Sequence, residues 1–212
     1  MKCAFGENPK RCYRDKCDST RMSTAAFLRG ALMQARDYGA RKQAANGDGT
    51  KMPAYNQKLE ALLPVLAREI PLKAHAHQAN DIFTALRIAR EFHLRLSLEH
   101  VTEGHLIADE LAKEKDVPMA VGPSLTFASK FELQNKSWKT PGVLANAGCH
   151  VSIITDNSVI PQQYLPLCAG MADRVGSLEV GKDADVVITN GCPFEVMTEV
   201  RAVFIDGVQV AE

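Results

Sequence analysis

The chain has 212 residues, enough for one or two domains with a sizeable core, and its 46% hydrophobic and 24% charged content is that of a soluble globular protein. Its 25 basic and 25 acidic residues cancel, leaving no basic excess to suggest nucleic acid, and there is no acidic tail. No run approaches the ~20 apolar residues of a membrane helix. The N-terminal MKCAFGENPKRCYRDK has no signal-peptide core, so a cytoplasmic protein without membrane or nucleic-acid partners is expected.

In chain order, residues 3–22 are charged and turn-rich and read as loop. STAAFLRGALMQARDYGARKQ places Phe27, Leu28, Ala31 and Leu32 at helical spacing, with Ser23 as N-cap. A loop follows, then a helical stretch from Leu59 to Ala67 that Pro64 should kink or end. From residue 70 the pattern becomes regular. IPLKAHA, LRLSLEH, VPMAVG and HVSIITD read as strands; NDIFTALRIAREFH, EGHLIADELAKEK and TPGVLANAG read as the helices between them. That is the rhythm of parallel strands with crossover helices, at roughly 25–30 residues per unit. A (β/α) barrel or a doubly wound sheet both fit, and the absence of GxGxxG after any strand counts against a dinucleotide fold. After Asp173 the chain is valine-rich and punctuated by glycine, with Asp206-Gly207 as a hairpin signal, and reads as a separate all-β unit. Six cysteines without CxxC spacing indicate neither a zinc ribbon nor a disulfide framework.

Chemistry gathers at the strand ends. His75 and His77, two positions apart on one strand, share a face. The next strand ends in Glu99-His100 and the last in Thr155-Asp156. In a parallel barrel the C-terminal strand ends share one rim, where catalytic groups collect. Imidazoles and a carboxylate there suit Zn²⁺ or a similar divalent ion, which acidifies bound water. Asp156 could then move a proton to a leaving nitrogen. His93 closes a helix and His150 precedes a strand at the opposite end. Ser124, Thr126 and Ser129 follow the third of these strands and could line the pocket, and Trp138 is expected to pack.

HAH after a strand, LEH one unit later, TD on the last strand, GSLEVGKDADVVI and AFGENPKR…STRM together resemble the metal-dependent amidohydrolase superfamily, in the branch near imidazolonepropionase. The resemblance implies a (β/α)8 TIM-type barrel, present here as strands four to eight, over residues 1–172. Residues 173–212 would be part of a small composite β-sandwich. It implies one or two divalent ions, Zn²⁺ first, with His75 and His100 as metal histidines, Asp156 as acid/base aspartate and metal ligand, and Lys2 or Glu7 as bridging ligand. His77 and His105 would contact substrate. The implied activity is hydrolysis of non-peptide C–N bonds in a small-molecule amide or cyclic amide. A prolidase-like dipeptidase is the alternative within the superfamily, an inactive remnant the alternative outside catalysis. The family's strand-one HxH and the first half of its sandwich are absent, and LCAGMADRVGSLEV joins the edges of a stretch the family fills with helix. A longer functional protein is therefore expected, with a chain break between Met171 and Asp173; self-association through an open sheet edge would be the consequence for the isolated chain.

Overall fold

The computed structural model describes residues 1–16, 20–124, 126–159, 174, 178–193, 195 and 197–211. The chain divides into two compact units, Met1–Val151 and Ser152–Glu212. The junction at Met171–Asp173 and the domain boundary at 172/173 lie outside the described residues.

The first unit opens with strand β1 (Lys2–Ala4) and helix α1 (Glu7–Tyr13), where the sequence reads as loop. A three-residue strand is too short to display an alternation, and Pro9 falls in the first turn of α1, where no intrahelical N–H partner is lost. Helix α2 (Arg21–Ala45) starts three residues before the expected point. Thr20 is its N-cap and Ser23 the reciprocal partner of a capping box. Short helices α3 (Gln57–Glu60) and α4 (Leu63–Leu66) flank the break that Pro64 foreshadows. Then come β2 (Leu72–Ala76), α5 (Ala79–Glu91), β3 (Leu96–His100), a 3₁₀ turn at Gly104–Leu106, α6 (Ala108–Leu111), β4 (Met119–Val121), a 3₁₀ turn at Phe131–Leu133, α7 (Thr140–Asn146) and β5 (Val151–Ile153). The helix read over EGHLIADELAKEK is thus two separate turns. The break falls at Ile107, whose φ of −131° is not helical.

The five strands form one parallel sheet in the order β1-β2-β3-β4-β5, consistent with part of an α/β barrel. Register sorts the side chains. Leu72, Ala74 and Ala76 of β2, Leu96 and Leu98 of β3, and Met119 and Val121 of β4 are buried, in one core cluster with Ile82, Ala85, Leu86, Ile88 and Ala89 of α5. The other face carries Lys2, Lys73, His75, Ser97 and Glu99. On it Glu99 binds Lys2 (2.8 Å) and Lys73 (2.9 Å), an ion triplet that closes the polar face below the histidine level. Burial pushes the Glu99 pKa up, but the two ammonium groups outweigh it and the net shift is downward. Cys3, half-buried and near that carboxylate, has its thiol pushed up to about 12, so it is inert packing.

The second unit holds β6 (Val186–Thr189), β7 (Val200–Ile205) and β8 (Val208–Ala211) in an antiparallel sheet of that order. Asp206 (φ 49°) and Gly207 (φ 76°) make the tight turn between β7 and β8 in two left-handed residues, the hairpin geometry that Asp-Gly favours. Among the described residues no helix is long and apolar enough to cross a membrane.

Candidate metal centre

His75 lies within β2, His77 just past its end, and His100 at the last position of β3. Strand alternation keeps His75 and His77 together, and their rings stand 4.7 Å apart, edge to face. Alternation alone would send His100 to the helix-covered face, since it pairs with Ala76 rather than His75. Instead its ring is 4.3 Å from that of His75 and 4.7 Å from that of His77. The backbone explains this. His100 (φ 75°) and Val101 (φ 48°) are both left-handed, so the chain leaves the strand at the residue whose side chain must turn toward the others.

One ring nitrogen from each of the three histidines lies within 4.8 Å of the other two, and all three residues are buried. Two rings are held by a second contact. His100 Nδ1 is 2.8 Å from the Gly122 carbonyl oxygen, which has no proton to give, so Nδ1–H donates and Nε2 keeps its lone pair. His77 Nδ1 is 2.7 Å from Thr102 Oγ1, leaving Nε2 for the centre. Burial, reinforced by the neighbouring imidazole His100 and by Lys130, holds His75 down to about 3. Burial, with His100 and His75, holds His77 down to about 2. Neutral imidazoles with oriented lone pairs are the form a divalent cation takes, so these residues fit Zn²⁺ or a similar ion.

Residues not singled out by sequence surround the cluster. Asn8 Nδ2 is 3.4 Å from His75 Nε2. Lys130 Nζ donates to Asn8 Oδ1 (3.0 Å) and to Glu132 Oε1 (2.9 Å). Glu132 is fully buried. Its Oε2 accepts the Glu7 backbone N–H (2.7 Å), while its own N–H donates to Glu7 Oε1 (2.9 Å). Below them, buried Glu103 accepts from the Ala79 N–H (2.8 Å) at the start of α5 and from Asn135 Nδ2 (2.9 Å). Its own N–H donates to the His77 carbonyl (2.9 Å), fixing the backbone beside the ring. The Thr102-Glu103 pair lies one residue beyond the LEH motif, and closeness to it is the one local signal for these two. Asn8 sits within the ENPK string, but Lys130 and Glu132 meet Asn8 and Glu7 across more than a hundred residues of chain and leave no periodic trace.

The sequence-nominated residues distribute as follows. His75, His77 and His100 come together. Lys2 is ion-paired with Glu99, its side chain 60% exposed. Glu7 is engaged with Glu132. His105 occupies the 3₁₀ turn after β3, its Nδ1 2.8 Å from Thr140 Oγ1. Asp156 belongs to the second unit, where it is exposed and left-handed (φ 49°) and its carbonyl accepts the Val159 N–H (2.8 Å). Thr126 accepts from Lys136 Nζ, Ser129 is exposed, and His93 and His150 are exposed. Trp138, expected to pack, is 69% exposed with Lys139 over its ring; it lies in the irregular segment before α7, where no alternation assigned it a side.

No protein-family model matches the sequence. Amidohydrolase tasK of Hapsidospora irregularis is 24% identical over 98% of this chain. The crystal structure of an amidohydrolase from Thermotoga maritima MSB8 superposes with a TM-score of 0.85 at 38% identity, over 99% of this chain. Both comparisons point to an amidohydrolase. The chain spans 25% of the length of the first relative and 62% of the second. Both relatives carry the name amidohydrolase, and the three-histidine group is one that could hold a metal ion.

Proposed function

We propose that this chain provides the metal centre of a hydrolase acting on non-peptide C–N bonds, an amide or cyclic amide, within the imidazolonepropionase-like amidohydrolases. The observation that carries the reading is the convergence of His75, His77 and His100, with two of the rings fixed by Gly122 and Thr102. These three would hold the ion, Zn²⁺ being first in line for an imidazole set. When bound, a divalent ion supplies Lewis acidity, polarising a carbonyl and acidifying a water. In this reading His77 ligates rather than contacts substrate, and His105 remains the candidate for substrate contact. By the family resemblance Asp156 would take the proton of the attacking water and return it to the leaving nitrogen. Ligation by Lys2 would require its ammonium to leave Glu99 and lose its charge.

The test is metal content together with hydrolysis of a panel of cyclic and acyclic amides. His100→Ala should lose most bound Zn²⁺ and all activity. Asp156→Asn should keep most of the metal and lose turnover. Equal metal loss in both variants would make Asp156 a ligand first, and a parent protein that takes up no divalent ion would refute the reading.

A further inference from the structure

Glu132 is a buried carboxylate that the histidine motifs do not foretell. Its Oε1 stands 3.7 Å from His77 Nε2, both groups fully or nearly fully buried. That is too long for a hydrogen bond, which runs about 2.7–3.2 Å between nitrogen and oxygen. It is close to the separation of two donors on one tetrahedral ion, about 3.4 Å for bonds of about 2.0–2.1 Å. The nitrogen is also the one left free, because His77 Nδ1 is engaged by Thr102. The buried acid and the buried, neutral imidazole thus face one another without a hydrogen bond between them.

The surroundings hold the acid in that position. Oε2 is pinned by the Glu7 N–H, and the backbone of Glu132 is pinned by the Glu7 carboxylate. At Oε1 the partner is the Lys130 ammonium, which also binds Asn8, the neighbour of His75. A cation therefore already sits on the oxygen that faces the centre. Gly6 makes room: a Cβ there would overlap Glu132 Oε2.

We propose that Glu132 is the anionic partner of the three-histidine centre, offset against the ion's charge beside His77 and held in place by Glu7. The inference rests on the metal reading above and adds a residue to it. Three neutral imidazoles leave the full charge of a divalent ion in a buried site, where an uncompensated charge is costly. Glu132 is the fully buried carboxylate that meets one of those imidazoles.

The probe is Co²⁺ added to the full chain, followed by its visible absorption and by competition with a chelator. Glu132→Gln and Lys130→Met both break the ion pair, but only the first removes the carboxylate. Glu132→Gln should weaken Co²⁺ binding roughly 10–100-fold and alter the absorption band. Lys130→Met should bind at least as tightly as the parent, because Oε1 is released. Thermal melts of both variants report on folding. Parent-like affinity in Glu132→Gln would overturn the proposal. So would equal weakening in both variants, which would make the ion pair a structural brace. A parent chain that fails to bind Co²⁺ would instead bring down the metal reading itself.

Discussion

Gly6 offers a stringent test of how the N-terminal segment supports the centre. Its backbone (φ 81°, ψ −142°) lies in a region that is essentially glycine's, and any side chain there costs roughly 1–3 kcal/mol. A Cβ would also overlap Glu132 Oε2 and come within 3.1 Å of Asp81 Oδ2. Neither neighbour is a free end. Glu132 is fully buried and tied to the Glu7 N–H, and Asp81 is buried against Arg21 (3.0 Å). Moving Glu132 gives up a charged hydrogen bond worth about 1.5–3 kcal/mol. Gly6→Ala should therefore destabilise the fold by roughly 2.5–6 kcal/mol, a large share of the ~5–15 kcal/mol typical of a domain. Gly30→Ala is the control. It lies in the middle of α2, a Cβ there meets nothing within 4 Å, and it should stabilise by up to ~1 kcal/mol. Urea unfolding followed by far-ultraviolet circular dichroism measures both. A Gly6→Ala midpoint indistinguishable from the parent would refute the packing account of Glu132, and the two substitutions moving in the same direction would refute the backbone account.

Two further outcomes follow from the same geometry. Thr102→Val removes the oxygen that holds His77 Nδ1 and should weaken Co²⁺ binding roughly tenfold or more; unchanged affinity would mean the ring needs no second contact. In metal-free protein, stability should fall on acidification. Above about 6.5 His75 and His77 are neutral in both the folded and the unfolded chain. Below it the unfolded chain takes up protons that the folded chain, with these groups held to about 3 and about 2, refuses. The loss runs from about 6.5 toward 3, at up to about 1.4 kcal/mol per pH unit for each imidazole. Urea midpoints between pH 7.5 and 5.5 measure it, and a slope unchanged in the double variant His75→Gln/His77→Gln would assign it to other groups.

Much of this protein was legible along the chain. Alternation in LKAHA and LSLEH, helical periodicity in the segment that became α5, and Asp-Gly at 206–207 rest on contacts between near neighbours, and local pattern encodes those. His75 and His77 sharing a face is the same kind of fact. What sequence could not decide is anything that depends on backbone departure or on long-range closure. β1 has three residues and exists because β2 offers it a parallel edge, with Phe5 N–H continuing to the His75 carbonyl (2.9 Å). His100 belongs by alternation to the wrong face, and only the left-handed turn at its own position carries its ring to the other two. The carboxylate that faces His77 comes from a loop without periodicity, 125 residues from the segment that fixes it. The sequence by itself determined which donors stand at the strand ends, because strand period and residue type are local properties. The tertiary structure decided which of them meet, because that is set by where the chain turns and by what distant segments bury against it.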